Sequence, residues 1–244
     1  MTKLFKFRHF ALRQNHSPFP ITSDAVTFAC WICFSKSEGH CVDVGAGTGL
    51  LTCILRHRFP SWQFYCIEKH PGAAEDCIFN VASLGIPVNH LACQDFLLSW
   101  PQHWPQRFDA LVCNPPFYLN DLPNPKAEVA QTRHANTKTA QRLCEQLAFY
   151  LSAQGDLYML LPARYVHNFL EWLADYDLHP RSFCMVKSTP HKTAHVAMVH
   201  LKKGKFSGCH SQELLICDDQ GRPTSDYKTL VGECYAEDYF LRWK

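Results

Sequence analysis

The sequence predicts an α/β fold: a seven-stranded, mostly parallel sheet, covered by helices on both faces and finished by an antiparallel terminal hairpin strand. Three observations predict it. Short β-branched or apolar runs alternate with longer helix-periodic stretches from His40 to Tyr176, the pattern of successive β-α-β units. A glycine-rich turn, Asp43-Val-Gly45-Ala-Gly47-Thr-Gly49, joins the first run to the first following helix. The 244 residues, 47% of them apolar, also suffice for one full core.

The elements come in order along the chain. Ala25–Phe34 is an apolar helical run, and His40–Val44 the first strand of the sheet. Thr48–Arg58 reads as a helix because Leu50, Leu51, Ile54 and Leu55 recur on one face. Trp62–Ile67 is the second strand, closed by Glu68, and Pro71–Leu84 is a helix opened by proline. Pro87–Ala92 makes a third strand and Phe108–Cys113 a fourth, which delivers Asn114-Pro-Pro-Phe117 at its carboxyl end. Lys138–Leu151 and Ala163–Tyr176 are helical around a fifth strand, Gly155–Leu161. Arg181–Lys187 and Ala194–Leu201 pair as the closing hairpin. The intervening loop from Tyr118 to Thr137 is long enough to suggest a functional role.

One domain spanning 1–244 is expected. A basic-aromatic segment (about 1–34) precedes its sheet, and a small carboxyl-terminal appendage (about 205–244) holds a short strand, Glu213–Cys217, and a helical turn, Thr229–Tyr235. The net charge of +2 neither demands nor excludes a polyanionic partner. No apolar run approaches the ~18 residues of a membrane span, and the first residues lack the apolar region of a signal peptide. The 13 cysteines are odd in number and sit in core-like segments, as reduced thiols of a cytosolic protein would. Cys30-Trp-Ile-Cys33 has the spacing of a metal half-site or redox pair. It lies in an apolar helical run with no second such pair, so packing is the plainer reading and no metal is expected.

The chemistry sits at two strand ends. A glycine turn between strand and helix lets backbone approach a ligand closely. Gly45, Gly47 and Gly49 are followed by Leu50, so the six-residue dinucleotide pattern is not met. The compact form suits S-adenosylmethionine, which has an amino-acid end and no pyrophosphate. Asp43 would orient the methionine ammonium and Glu68 would hold the ribose hydroxyls. Asp95 would accept from the adenine amino group beside Phe96; a helix cap or solvated turn is the alternative reading of Asp95.

Asn114, Pro115, Pro116 and Phe117 carry the transfer. The Asn114 side-chain oxygen and the Pro115 carbonyl would accept from one –NH₂ group and expose its lone pair to the methyl group, without a metal. Phe117 would stack on the target ring, a contact worth roughly 1–3 kcal/mol per base. Such a base must be splayed from its stack. Lys3, Phe5, Lys6, Phe7, Arg8, His9, Phe10 and Arg13 interleave charge with aromatic rings, so Lys6 and Arg8 are candidate RNA contacts; a solvated strand edge explains them equally. Lys187, His191 and Lys192 form a second candidate phosphate patch.

With these residues assembled, the chain resembles the bacterial tRNA1(Val) (adenine-37-N6)-methyltransferases, within the class I (Rossmann-like) methyltransferases. The resemblance rests on Phe5-Lys6-Phe7, Thr22–Val26, Asp43–Gly49, Glu68, Asp95, Asn114–Phe117, Arg133 and the tail Asp226–Leu230. It implies N6-methylation of an anticodon-loop adenine in the cytoplasm by a monomer, with Phe117, Tyr118, Arg133, Lys6 and Arg8 on the RNA. Two departures stand out: Pro20-Ile-Thr-Ser-Asp24 replaces the family's Lys-Val-Gly-Thr-Asp, and Phe117 replaces a tyrosine. Asn-Pro-Pro-aromatic also serves enzymes acting on rRNA guanine N2 or a protein glutamine amide. A non-catalytic RNA-binding protein on the same fold is a further alternative.

Overall fold

The computed structural model describes residues 4–115, 128–204, 208–236 and 239–240, without the side chains of residues 128–136. A two-stranded hairpin, β1 (Leu4–Lys6) and β2 (Ala11–Arg13), leads into α1 (Ser23–Trp31). The alternating body continues as β3 (His40–Val44), α2 (Leu50–Arg58), β4 (Gln63–Glu68), α3 (Pro71–Ala82), β5 (Leu91–Cys93) and β6 (Phe108–Cys113). Then come α4 (Glu128–Tyr150), β7 (Leu151–Pro162), α5 (Val166–Ala174), β8 (Leu178–Lys187), β9 (Val196–Lys203), β10 (His210–Leu215) and α6 (Ser225–Val231).

The main sheet has strand order β10-β8-β9-β7-β6-β3-β4-β5, with β9 antiparallel to both neighbours and the other pairs parallel. Strand alternation builds two cores. Cys41, Cys66, Val112, Tyr158 and Met198 face one layer with α1, α2, α3 and α6, while Val42, Ile67, Leu111, Met159 and Val199 face the other with α4 and α5. Local chemistry sets the helix starts. The Thr22 and Thr224 hydroxyls cap α1 and α6, and Pro71 opens α3 behind a His70 cap.

The sheet has eight strands where seven were expected. Residues 210–215, placed in an appendage outside the core, pair in register with β8, from His210↔Ser182 to Leu215↔Lys187. An uncovered β8 would leave a row of unpaired backbone groups, and β10 satisfies it. Helix α6 is equally part of the core, with Tyr227 and Val231 fully buried. The long loop expected to reach Thr137 ends earlier, because α4 begins at Glu128. The third strand is cut to Leu91–Cys93, since Val88–His90 forms a single tight turn first.

The amino-terminal segment is pinned to α3 by one carboxylate. Asp76, fully buried, accepts the backbone N–H groups of Asn15, His16 and Ser17 at 2.9, 2.8 and 2.9 Å on Oδ2, and the Arg13 guanidinium at 2.9 Å on Oδ1. Asn80 joins the same segment to the glycine turn: its amide donates to the carbonyls of Arg13 (2.9 Å) and Thr48 (2.8 Å). Burial pushes the Asp76 carboxyl up, but those N–H groups and Arg13 pull it below its ordinary value. The lowered value means that its stabilisation is complete above the unfolded-state pKa and is lost as pH falls through the folded one.

Asp76→Ala leaves these donors buried and unpaired. We expect a loss of about 3 kcal/mol in urea unfolding at pH 7, shrinking toward the acid limit. An unchanged midpoint would refute the clamp.

Candidate active site

Strand order reverses between β3 and β6, where the chain runs outward through β4 and β5 on one side and β7 on the other. Ligand crevices in open parallel sheets form at the carboxyl ends flanking such a reversal. The last paired residues of β3 and β6 are Val44 and Cys113, so Gly45 and Asn114 leave the sheet side by side.

The turn after β3 is tied down by the neighbouring strand: the N–H groups of Gly45 and Ala46 donate to the Ile67 carbonyl at 2.9 and 3.2 Å. Gly45, Gly47 and Gly49 have φ of +73°, +57° and +78°, where L side chains are strained. Their surroundings differ. A Cβ on Gly45 or Gly47 would meet none of the described residues within 4 Å, whereas one on Gly49 would lie 3.0 Å from Cys77 Sγ and 3.1 Å from Val81 Cγ1. Two glycines therefore keep a cradle open, and the third lets α3 pack close.

Two buried carboxylates brace this turn. Asp43 is 1% exposed, and its Oδ2 accepts the Thr52 hydroxyl at 2.8 Å and the Thr52 N–H at 3.2 Å. Its Oδ1 is buried without a partner among the described residues. Burial pushes the Asp43 carboxyl up to about 7; the Thr52 bonds pull the other way, and Glu68 adds to the rise. Glu68 accepts the Gly47 N–H at 2.8 Å and the His70 N–H at 2.7 Å, one on each oxygen. Each oxygen still has capacity for a further donor.

Asp95 caps its own turn. Its Oδ1 accepts the Leu97 N–H at 2.9 Å and its carbonyl accepts from Leu98 and Ser99, which is the plainer of the two readings offered for it. Phe96 is 7% exposed, its ring against Trp100 and Tyr150, so the side chain is a core element first. Asn114 is half-buried, with a buried Oδ1 that has no partner among the described residues, and Pro115 is buried beside it. Pro116, Phe117 and Tyr118 lie outside the described residues; Arg133 falls within α4, its side chain outside that description.

The two proposed RNA contacts at the amino end are not brought to this edge. Strand alternation buries Phe7 and turns its charged neighbours outward, and the nearby His9 stacks on His57 at 4.2 Å. His57 belongs to the last turn of α2, about 12 Å along the helix from the glycine turn. Arg8 pairs there with Glu233 at 3.5 Å, and Lys6 ends β1 on the same hairpin. In the second patch, Lys187 and His191 face carboxylates, Glu213 at 2.8 Å and Asp219 at 3.1 Å.

Sequence reading missed Thr52, His70 and Asn80, which hold Asp43, cap α3 and tie the turn to the amino terminus. Asn80 was visible as a polar residue within the apolar stripe of α3; nothing local marks Thr52. Among the described residues, no three His, Cys, Asp or Glu side chains are grouped to hold a metal ion.

Residues 32–166 match the family model described as methyltransferase small domain. The tRNA1(Val) (adenine(37)-N6)-methyltransferase of Vibrio campbellii is 28% identical, over 97% of each chain. The protein of that name from Porphyromonas gingivalis is 30% identical over 78% of this chain and 77% of its own. Among solved structures, a predicted O-methyltransferase from Agrobacterium tumefaciens superposes with a TM-score of 0.65 at 15% identity, covering 87% of this chain and 97% of that one. A methyltransferase from Pyrococcus furiosus gives 0.56 at 13%, covering 79% and 89%. These two show the fold.

Alanine scanning of the turn separates its glycines. Gly47→Ala meets only backbone strain, of about 1–2 kcal/mol, while Gly49→Ala adds a collision with α3 and is expected to cost more. Equal denaturant midpoints for the two variants would contradict the geometry.

Proposed function

The chain belongs to the methyltransferase small domain family, and on that premise we propose that it transfers the methyl group of S-adenosylmethionine to N6 of an adenine in tRNA, adenine 37 of tRNA1(Val). The relatives matched over nearly the whole chain carry that name, and the observation that carries the reading is that Gly45 and Asn114 directly follow the paired residues Val44 and Cys113 at the strand reversal. A glycine cradle and an acceptor for a planar nitrogen leave the sheet next to each other.

The residues fit the cofactor. Open space above Gly45 and Gly47 admits a ligand against the backbone, and the unpartnered Asp43 Oδ1 suits an ammonium. Glu68, already fixed by Gly47 and His70, has acceptor capacity left for ribose hydroxyls, and Asp95 has one for the adenine amino group. When bound, S-adenosylmethionine supplies an electrophilic methyl group on a sulfonium.

The chain's own part is to seat and orient the nitrogen. Asn114 Oδ1 and the Pro115 carbonyl accept the two N–H bonds of the target amine, which turns its lone pair out of the ring plane and toward the donor. Proline at 115 leaves the backbone no competing N–H. The proton leaves after methylation, when the nitrogen has become acidic, so no strong base is required. Phe117 stacks on the adenine, with Tyr118 and Arg133 on the flanking RNA. We place the protein in the cytoplasm with its tRNA, working as a monomer.

Incubation with methyl-labelled S-adenosylmethionine and total tRNA is expected to put the label in N6-methyladenosine. Label found only in rRNA guanine or in protein glutamine would overturn the assignment. Asn114→Ala should lower turnover at least about 100-fold while S-adenosylhomocysteine binds within a few-fold of wild type.

Cofactor affinity should rise with pH. Asp43, with its carboxyl at about 7, must ionise to meet an ammonium. Calorimetry from pH 6 to pH 8 is therefore expected to show tightening through the neutral range, and Asp43→Asn a weaker, flatter profile. A wild-type profile as flat as the variant's would remove Asp43 from the ammonium site.

A further inference from the structure

The Cys30-x-x-Cys33 spacing is divided by the fold. Cys33 is exposed, and its carbonyl accepts the Tyr158 hydroxyl. Cys30 faces inward from α1, 5% exposed, and its sulfur lies 2.7 Å from that of Cys234, 7% exposed and 204 positions away in the chain. The two thiols belong to opposite ends of the protein. Cys234 comes after α6, and its carbonyl accepts the Arg8 N–H at 2.9 Å, next to the bridge between Phe7 and Tyr235. One contact therefore joins α1, the carboxyl-terminal segment and the amino-terminal hairpin.

A cation stands beside the pair. Arg58 Nη1 donates to the Ala29 and Ile32 carbonyls, both at 2.7 Å, on either side of Cys30 in sequence. The hydrogen bond between the two sulfurs and the Arg58 charge draw the Cys234 thiol below its ordinary range against the effect of burial, while that bond and burial push Cys30 up. The two sulfurs are thus arranged as nucleophile and resolving thiol.

We propose that Cys30 and Cys234 are a reversible disulfide site, closed by small peroxides and reopened by thiol reductants, that staples the two chain ends together. Cys234 thiolate attacks one oxygen of hydrogen peroxide; the O–O bond breaks, leaving Cys234 sulfenic acid and releasing hydroxide. That hydroxide takes the Cys30 proton and becomes water. Cys30 sulfur then attacks the sulfenic sulfur, expelling a second hydroxide, which takes up the proton Cys234 had given to solvent. The two thiols lose two electrons, and peroxide becomes two waters.

The rival targets are the exposed thiols Cys33, Cys93 and Cys209. Full-length protein treated with hydrogen peroxide, alkylated and mapped by mass spectrometry is expected to yield a linked Cys30–Cys234 peptide lighter by two hydrogens, abolished by dithiothreitol. Closing so long a loop should raise the melting temperature by about 5–10 °C over the reduced form. Cys30→Ser and Cys234→Ser should each lose link and shift, while Cys33→Ser keeps both. Alkylatable Cys30 and Cys234 after the exposed thiols are consumed would overturn the proposal. So would loss of the link in Cys33→Ser, or an oxidised wild type that melts with the reduced form.

Discussion

The site depends on two carboxylates buried under a turn that has no side chains of its own at its three glycines. Glu68 reaches from the end of β4 to the Gly47 N–H, and Asp43 reaches from β3 to Thr52 in α2. Their bonds hold three residues at positive φ in one conformation, so the cradle exists before any ligand arrives. Preorganisation of this kind spares binding the cost of ordering backbone. The same low-dielectric surroundings push the Asp43 carboxyl up, so a cationic partner has a direct effect on its ionisation.

The amino-terminal segment is held by the same physics at a second place. Asp76 gathers three successive backbone N–H groups and a guanidinium, and Asn80 reaches from that segment to the carbonyl of Thr48 in the glycine turn. Residues that precede the sheet by a wide margin in sequence thereby brace its most important loop. The carboxyl-terminal segment is also integral. It supplies the last strand and, through Tyr227 and Val231, part of the core beneath α1.

Much of this is legible in the chain. The ranges of β3 and β6 can be read to the residue, because both strands are buried on two faces and bounded by turn chemistry. Pro71 marks the start of α3. The two motifs at the strand ends point to a glycine cradle and an amine clamp on residue chemistry alone. Less local features are hidden. Residues 210–215 become the eighth strand only because β8 leaves an edge, and Lys6 and Arg8 are exposed on either side of Phe7 because Phe7 enters the core.

By itself, then, the sequence determined the features set by neighbours along the chain: alternation, the glycine turn, the Asn-Pro-Pro end and, through resemblance, the chemistry they serve. Tertiary structure alone decided which of those groups meet. It put Gly45 beside Asn114, and gave Asp43 to Thr52 and Cys30 to Cys234 rather than Cys33. The reason is physical. Periodicity and propensity report on contacts a few residues apart, whereas the pairing of buried polar groups is settled by which strands and helices pack together, and a buried donor or acceptor takes whichever partner that packing brings within reach.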